Sequence, residues 1–352
     1  MTTTPPQADA VRATGLRKSF RVKGGTVEAV GGLDLTVPAG QIFGFLGPNG
    51  AGKTTTLRIL TTLLPADGGE AFVAGASVRN RPAEVRRRMG YVGQLGGADI
   101  SATGEENLLL QARLYGMSAA AARRRAGELI EILDLAGFAG RLARTYSGGQ
   151  RRRLEVALGI MNQPQVLFLD EPTTGLDPQN RANLWEQVRR LREAGTTVFL
   201  TTHYLDEADQ LSDRLAIIDH GRIIADGTPA ELKQRYSADA VTIVPRLPAA
   251  DLPALRQQLA AEPAVRSASG EGQAIRLAVD DTTSAMAGIF GRLKSAGITV
   301  TAASVAEPSL DDVFLRETGR SLRDTQASDG GDQPAAGQSG PTQTQAGTEA
   351  AA

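Results

Sequence analysis

The chain has 352 residues, a formal net charge of −1 at pH 7 and no cysteine. The length suits two compact domains plus ends, because a domain usually takes roughly 100 to 200 residues. The near-zero net charge gives no overall positive field for nucleic acid, and the lack of cysteine excludes disulfides and thiolate metal sites.

Residues 1–10 are polar and contain prolines, so we expect a disordered N-terminus without a signal peptide. Apolar strands then alternate with helical patterns from 11 to about 236, which predicts an α/β domain with a largely parallel sheet. Residues 41–47, 165–172 and 196–203 are almost continuously apolar, as in central strands that are buried on both faces. No run of 18 or more apolar residues occurs, so we expect no membrane-spanning helix.

Residues 94–160 have helical patterns and few strand signals, which predicts a helical subdomain within the first domain. A second unit over 237–320 has the element order β-α-β-β-α-β, typical of a small ferredoxin-like α+β domain. It closes with a helix over 308–320 that Ser309 caps. The composition of 321–352 predicts a disordered tail, since it offers too few apolar residues to fold.

Residues 47–55 match the phosphate-binding pattern G-x-x-x-x-G-K-[ST], directly after an apolar strand and at the start of a helix. Glycine allows backbone N–H groups to surround a phosphate, and the helix N-terminus adds about half a positive charge. The lysine supplies a mobile ammonium for the β and γ phosphates, and the following threonine a hydroxyl for Mg²⁺. The predicted ATP-binding residues of this loop are Gly47, Pro48, Asn49, Gly50, Ala51, Gly52, Lys53, Thr54 and Thr55.

Two carboxylates lie at the C-terminal end of the apolar stretch 165–172, where open α/β sheets bind ligands. We expect Asp170 to hold Mg²⁺ and Glu171 to orient and deprotonate the attacking water, because a buried acidic pair is costly unless it meets a cation. The alternative is that these are ordinary polar residues at a strand end. Asp177 in the next turn could be only a turn residue or a helix cap.

A serine followed by two glycines opens another helical segment, within the sequence TYSGGQ. Ser147 and Gln150 fit a capping box, so a well-capped helix is one reading. However, Gly148 and Gly149 would each cost the helix up to about 1 kcal/mol relative to alanine. Bare glycines at a helix N-terminus favour the close approach of an anion such as phosphate.

Together these motifs resemble the ATP-binding cassette (ABC) ATPases over residues 11–236. The resemblance implies a RecA-like P-loop NTPase fold, ATP and Mg²⁺ as cofactors, and catalytic roles for Lys53, Glu171 and His203, the switch histidine. It makes residues 146–150 the signature motif, whose Ser147, Gly148, Gly149 and Gln150 contact ATP held by another copy. Thr54, Asp170 and Gln94 of the Q-loop become the metal ligands, and Asp177 belongs to the D-loop.

Two positions are less clear in this resemblance. Phe20 lies where the family keeps an aromatic residue that stacks on adenine, although an ordinary core phenylalanine fits the sequence equally well. Tyr146 replaces the leucine that usually opens the signature motif, and its bulk could alter dimer packing.

The segment SLDDVFL at 309–315, with TYSGG and RRRLEVA, is similar to the daunorubicin-resistance (DrrA-type) ATPase subunits of drug, polyketide or lipid exporters. This implies a homodimer at the cytoplasmic face of the membrane, bound to a separate membrane-spanning permease near residues 94–116. Other possibilities are a soluble ABC ATPase of translation or DNA repair and the ATPase of an importer. We expect no nucleic acid partner, because the arginine runs at 86–88, 123–125 and 151–153 fit solvated helix faces.

Overall fold

The computed structural model describes residues 9–236, 239–279, 281–306 and 309–322. The strands of the larger unit are β1 (Asp9–Val22), β2 (Gly25–Pro38), β3 (Ile42–Leu46), β4 (Gly68–Val73), β5 (Ala76–Ser77), β6 (Met89–Val92), β7 (Val166–Asp170), β8 (Thr197–Thr202), β9 (Arg214–Asp219) and β10 (Arg222–Gly227). Its helices are α1 (Lys53–Leu60), α2 (Pro82–Arg88), α3 (Gly104–Leu114), α4 (Ala119–Ile132), α5 (Gly148–Gly159), α6 (Pro178–Glu193), α7 (Leu205–Leu211) and α8 (Pro229–Tyr236). A short 3₁₀ turn, Ala143–Thr145, precedes α5.

The centre of this unit is a six-stranded sheet in the order β10-β9-β3-β8-β7-β6. All neighbours from β9 to β6 are parallel, and β10 is an antiparallel edge strand, so the prediction of a largely parallel sheet is confirmed. The predicted central strands β3, β7 and β8 are buried along their whole length. The ring of Phe199 lies 5.4 to 5.6 Å from those of Phe43, Phe45 and Phe168, which fixes the register of three strands from one face.

A second, antiparallel sheet has the order β2-β1-β4-β5, and its apolar face shares a core with α1 and the central sheet. Its first strand begins at Asp9, so the predicted disordered segment 1–10 extends two residues too far. The physical reason is pairing on both sides: Asp9 faces Pro38 on β2, and the carbonyl of Ala10 accepts a bond from Ala74. Residues 1–8 and 323–352, also predicted to be disordered, lie outside the described residues.

On the opposite face of the central sheet, α3, α4 and α5 form the helical layer expected within 94–160. Leu108, Leu129 and Leu154 are fully buried and belong to one core with Leu167 and Leu169 of the central sheet. The helical layer therefore shares its core with strand β7, and α5 contacts β6. Thr103 and Ser118 cap α3 and α4 with their side-chain oxygens.

The C-terminal unit consists of β11 (Asp239–Pro245), α9 (Leu252–Ala260), β12 (Val265–Glu271), β13 (Ala274–Val279), α10 (Thr282–Ser295) and β14 (Val300–Ala306). Helix α11 (Leu310–Thr318) follows it. The antiparallel sheet order β12-β13-β11-β14 is that of a ferredoxin-like fold, as expected from the element order. The exact residues at which the chain divides into domains stay a prediction.

Helix α11 lies against the larger unit, although the sequence placed it at the end of the second one. Ser309 caps it, as predicted, and its buried Phe314 joins a core with Leu46, Ile217 and Leu232. Ser321 and Leu322, assigned to the tail from sequence, are also built into this region. Their Oγ and backbone N–H donate to the carboxylate of Asp311, and the Leu322 side chain is fully buried.

Candidate functional site

The predicted site segments meet at one edge of the central sheet, beyond the carboxyl ends of adjacent parallel strands. The phosphate-binding loop follows β3, His203 follows β8, Glu171 follows β7 and Gln94 lies two residues beyond β6. Ligands of open α/β sheets bind at this edge because the loops converge there. The fold thus collects residues that are more than 100 positions apart in the sequence.

The loop at 47–55 requires glycine at two positions. Gly52 adopts φ = 104° immediately before α1, and a Cβ on it would lie 2.3 Å from the carbonyl oxygen of Ala29. A Cβ on Gly47 would lie equally close to the carbonyl oxygen of Ile218. Close packing against two neighbouring segments therefore sets the loop at the N-terminus of α1, where backbone N–H groups and the helix dipole favour an anion.

Lys53 is the first residue of α1 and is 4% exposed. Its Nζ donates to the carbonyl oxygens of Gly47 and Pro48 at 2.8 and 3.0 Å and lies 3.3 Å from Oε1 of Glu171. Burial lowers the pKa of Lys53, and the carboxylates of Glu171 and Asp170 offset this only in part. The ammonium is held at the mouth of the loop by weak acceptors that phosphate oxygens could replace.

Asp170 is the last residue of β7 and is 1% exposed. Its Oδ1 accepts bonds from the hydroxyls of Thr201 and Thr54 at 2.7 and 3.2 Å. Burial raises the pKa of Asp170 by more than the bond from Thr201 lowers it, and the negative charge of Glu171 raises it further. A carboxylate held beside the threonine of the loop fits Mg²⁺, which usually binds one or two carboxylates together with substrate phosphates.

Glu171 lies between the ammonium of Lys53 and the imidazole of His203, whose Nδ1 is 3.1 Å from its Oε2. Burial alone would raise its pKa, but the bond from His203 and the charge of Lys53 outweigh burial and lower it. Its backbone has φ = 46°, and its N–H donates to Thr201. Glu171 is therefore an ionised carboxylate held in a strained backbone conformation.

A cavity of about 320 Å³ lies above this cluster and is lined by Ala29, Asn49, Gly50, Gly52, Lys53, Thr54, Thr55, Gln94 and Glu171. Two of the three predicted metal ligands, Thr54 and Gln94, thus line the same cavity. Phe20 is on β1 and is 38% exposed, with the ammonium of Lys18 5.6 Å from its ring centre. Phe20 is therefore not an ordinary core phenylalanine, which was one of its two predicted roles.

Ser147 caps α5 in a complete capping box with Gln150, as the sequence predicts, and it is exposed. Among the described residues, neither it nor the two glycines after it line the cavity above the phosphate-binding loop. Gly149 has a packing reason within this chain, because a Cβ there would lie 2.2 Å from Oδ1 of Asn180. Asp177 caps α6 through a 3.0 Å bond from the Asn180 N–H, so one of its predicted alternatives, the helix cap, is observed.

Tyr146 points into the helical layer of its own chain, and its effect on dimer packing stays a prediction. It is 7% exposed, its hydroxyl donates to the carbonyl of Phe138 at 2.8 Å, and its ring meets that of Phe138 edge-on. A Cβ on Gly104 would lie 2.3 Å from the hydroxyl. The tyrosine therefore connects the signature segment to the start of α3.

Sequence reasoning missed the burial of Arg152. The run at 151–153 was expected to be a solvated helix face, yet Arg152 is 7% exposed and contacts the backbone beside Glu171. The usable signal was its spacing from Glu155, three residues later on the same helix, because a buried charge needs a partner.

The described residues contain no helix that is both long and apolar enough to cross a membrane. Residues 30–174 match the ABC transporter family, and residues 227–318 match the C-terminal domain of ATP-binding proteins like DrrA1-3.

Two curated relatives and one solved structure are similar to this chain. The daunorubicin/doxorubicin resistance ATP-binding protein DrrA of Streptomyces peucetius is 47% identical, covering 92% of this chain and 96% of the relative. The Nod factor export ATP-binding protein I of Ralstonia nicotianae is 40% identical over 88% and 94% of the two chains. A dimeric ATP-binding cassette, solved in a post-hydrolysis state with ADP and phosphate, is 25% identical with a TM-score of 0.57, covering 62% of this chain and 98% of that one. From its motifs, its sheet order and these relatives, the chain belongs to the ABC transporter family of ATPases and carries a DrrA-like C-terminal domain.

Proposed function

We propose that this chain is the ATP-hydrolysing subunit of an exporter and that its cargo is a hydrophobic drug, polyketide or lipid. One observation supports the assignment of the catalytic centre: Glu171 contacts both Lys53 and His203 beside the phosphate-binding loop. The names of the relatives, which concern drug resistance and Nod factor export, support export over an importer or a soluble ATPase.

In this proposal each residue of the cluster has one task. Lys53 and the N–H groups of the loop hold the β and γ phosphates, and Glu171 takes the proton of the attacking water. Nδ1 of His203 contacts Glu171, and with nucleotide bound the side chain hydrogen-bonds the γ-phosphate. Thr54, Asp170 and Gln94 would hold Mg²⁺, which when bound neutralises charge on the phosphates. Phe20 is proposed to stack on adenine.

The second half of the site comes from another copy of the chain. Ser147 and Gly148 are exposed at the N-terminus of α5 and line no part of the cavity beside Lys53 among the described residues. A helix N-terminus with exposed N–H groups is suited to a phosphate. We place Ser147, Gly148, Gly149 and Gln150 of each copy against the ATP held by its partner. The similar dimeric cassette supports this arrangement.

A membrane-spanning permease is the proposed second partner, which places the chain at the cytoplasmic face of the membrane. Leu95, Leu110 and Leu114 have exposed fractions of 102%, 55% and 74%, and they lie on the Q-loop segment and α3. Exposed large apolar side chains on neighbouring segments are typical of a protein contact. The 237–320 domain is proposed to serve subunit docking or dimer stabilisation.

Replacing the base and identifying the partner together test this function. In the complex purified from detergent-solubilised membranes, Glu171→Gln should retain ATP binding and lose turnover, because an amide cannot accept the proton of water. The matched control Glu186→Gln, on the exposed face of α6, should hydrolyse ATP at the wild-type rate. Turnover of Glu171→Gln near the wild-type rate would refute the base. Purification without any multi-helix membrane protein would refute the exporter.

A further inference from the structure

The guanidinium of Arg152 is buried between two segments of the site, the end of β7 and the Q-loop. Its Nε donates to the carbonyl of Pro172 at 2.8 Å, its Nη2 to that of Asp170 at 3.2 Å and its Nη1 to that of Gly93 at 2.8 Å. These carbonyls belong to the residues on either side of Glu171 and to the residue before Gln94. One side chain of α5 therefore bonds to the backbone of the catalytic strand and of the Q-loop.

Glu155 holds this guanidinium in place. Its Oε2 lies 2.9 Å from Nη1 of Arg152, and the side chains of both residues are 8% exposed. Its Oε1 packs against the backbone of Gly96, where a Cβ would lie only 2.1 Å away and where φ is 74°. The carboxylate thus contacts the Q-loop two residues beyond Gln94.

A buried ion pair of this kind is weak evidence for stability, because removing two charges from water costs several kcal/mol each. Apolar side chains of similar volume would pack α5 at least as well. What they could not do is donate to the carbonyls around Glu171. The fork of the guanidinium presents several donors in a fixed plane, which suits it to holding more than one acceptor at once.

We propose that Arg152, oriented by Glu155, is a positioning residue that fixes the backbone around Glu171 and transmits displacements of the signature helix and the Q-loop to it. The inference rests on the assignment of Glu171 as the base. Two positions in the N-terminal half of α5 then act on catalysis. Ser147, its N-cap, contacts the partner's nucleotide, and Arg152 in its second turn holds the chain's own catalytic strand.

Three variants test this in the full chain bound to its membrane partner. Arg152→Met removes the hydrogen-bond donors but leaves Glu155 as an unpaired buried charge. Arg152→Lys keeps the positive charge but lacks the planar guanidinium. The double variant Arg152→Met/Glu155→Met removes both charges. Arg190→Met is the matched control, since it breaks an exposed Arg–Glu pair at 3.2 Å on α6. The measurements are kcat per bound nucleotide, KM for ATP and the midpoint of thermal unfolding.

We expect kcat per bound nucleotide to fall by about tenfold or more in Arg152→Met and in the double variant, since small misplacements of a reacting group are costly. KM should change by less than about threefold, because the phosphate-binding loop is unaltered. Arg152→Lys should recover part of kcat. If the double variant regains stability and its kcat stays within about twofold of wild type, the pair is only structural and the proposal is wrong.

Combination with Glu171→Gln separates this proposal from the base assignment. In a single-turnover measurement, Arg152→Met should cause little further loss in the Glu171→Gln chain, because its effect acts through that carboxylate. A further loss of about tenfold would overturn the positioning role. If Glu171 is not the base, the Glu171→Gln variant alone will hydrolyse ATP near the wild-type rate, which is a separate result.

Discussion

Glu207, four residues after His203 in the sequence, is a fully buried carboxyl. It is the third residue of α7, and Nε1 of Trp185 on α6 donates to its Oε1 at 3.0 Å. Burial raises its pKa, while bonds from Thr202, Trp185 and Thr173 and the charge of Arg181 act in the opposite direction. The folded protein therefore binds this proton more tightly than the unfolded chain does.

A pH dependence of stability follows from this burial. A raised folded pKa means that stability is greatest below the ordinary glutamate value of 4.5 and is lost as the pH rises toward the folded pKa. Glu207→Gln should thus become more stable relative to wild type between pH 5 and pH 8, by at most about 1.4 kcal/mol per pH unit. Urea unfolding at both pH values measures this, with Glu186→Gln as the exposed control. An equal difference at the two pH values would contradict it.

Tyr146→Phe tests the contact between the signature segment and α3. The change removes the hydroxyl that donates to the carbonyl of Phe138 and leaves that carbonyl buried without this donor. We expect a loss of about 1 to 3 kcal/mol in the free energy of unfolding. ATP affinity should be unchanged, because the ring stays in the helical layer. Unfolding in urea and nucleotide titration measure the two effects. A variant as stable as wild type that binds ATP less tightly would place Tyr146 at the nucleotide instead.

The residue types of the site could be predicted from sequence because their chemistry is local. A glycine loop that is followed by a lysine and a threonine at the start of a helix indicates a phosphate site with magnesium. Two acids at a strand end indicate magnesium as well. The burial of Arg152 could not be predicted in this way, because the i,i+3 spacing from Glu155 offers a partner and exposed pairs such as Glu186–Arg189 have the same spacing. Its burial depends on two segments, around Gly93 and Pro172, whose meeting is decided by the sheet order and not by the helix that carries it.

At the scale of elements, the sequence predicts the central strands and the cap of α11, since burial on both faces and capping leave local patterns. It does not predict where α11 packs. An amphipathic helix shows that one face is buried, but not against which neighbour. In the structure that neighbour is the larger unit, through Leu46, Ile217 and Leu232.

The packing of α11 gives a prediction with a neighbouring control. Phe314 is fully buried, whereas Leu315 beside it is 45% exposed. Phe314→Ala should lower the free energy of unfolding by about 3 to 5 kcal/mol, because it removes a large core side chain and leaves a cavity. Leu315→Ala should cost less than about 1 kcal/mol. Hydrogen exchange of β3 and β9, measured alongside, should increase only in the first variant. Equal costs for the two changes would show that α11 is not packed as described.

At the scale of the whole molecule, the proposed dimer predicts complementation between two inactive chains. Ser147→Ala inactivates the ATP site of the partner chain, and Lys53→Ala inactivates the ATP site of the chain that carries it. A mixed dimer therefore keeps one intact site, formed by Lys53 of one chain and Ser147 of the other. With random mixing and independent sites, the mixture should recover about a quarter of wild-type ATPase activity, because half of the dimers are mixed. Each variant measured alone provides the baseline. Activity of the mixture no higher than that baseline would mean that Ser147 does not act across the dimer.

The position of α11 also bears on how the protein is made. The β3 and β9 side chains that it covers leave the ribosome long before Leu310 and Phe314 do, and the whole small sheet is translated in between. Until α11 has been synthesised, an apolar patch beside the ATPase centre stays exposed to water and to chaperones. A chain that stops prematurely after β14 would carry every catalytic residue and still lack the helix that closes its core.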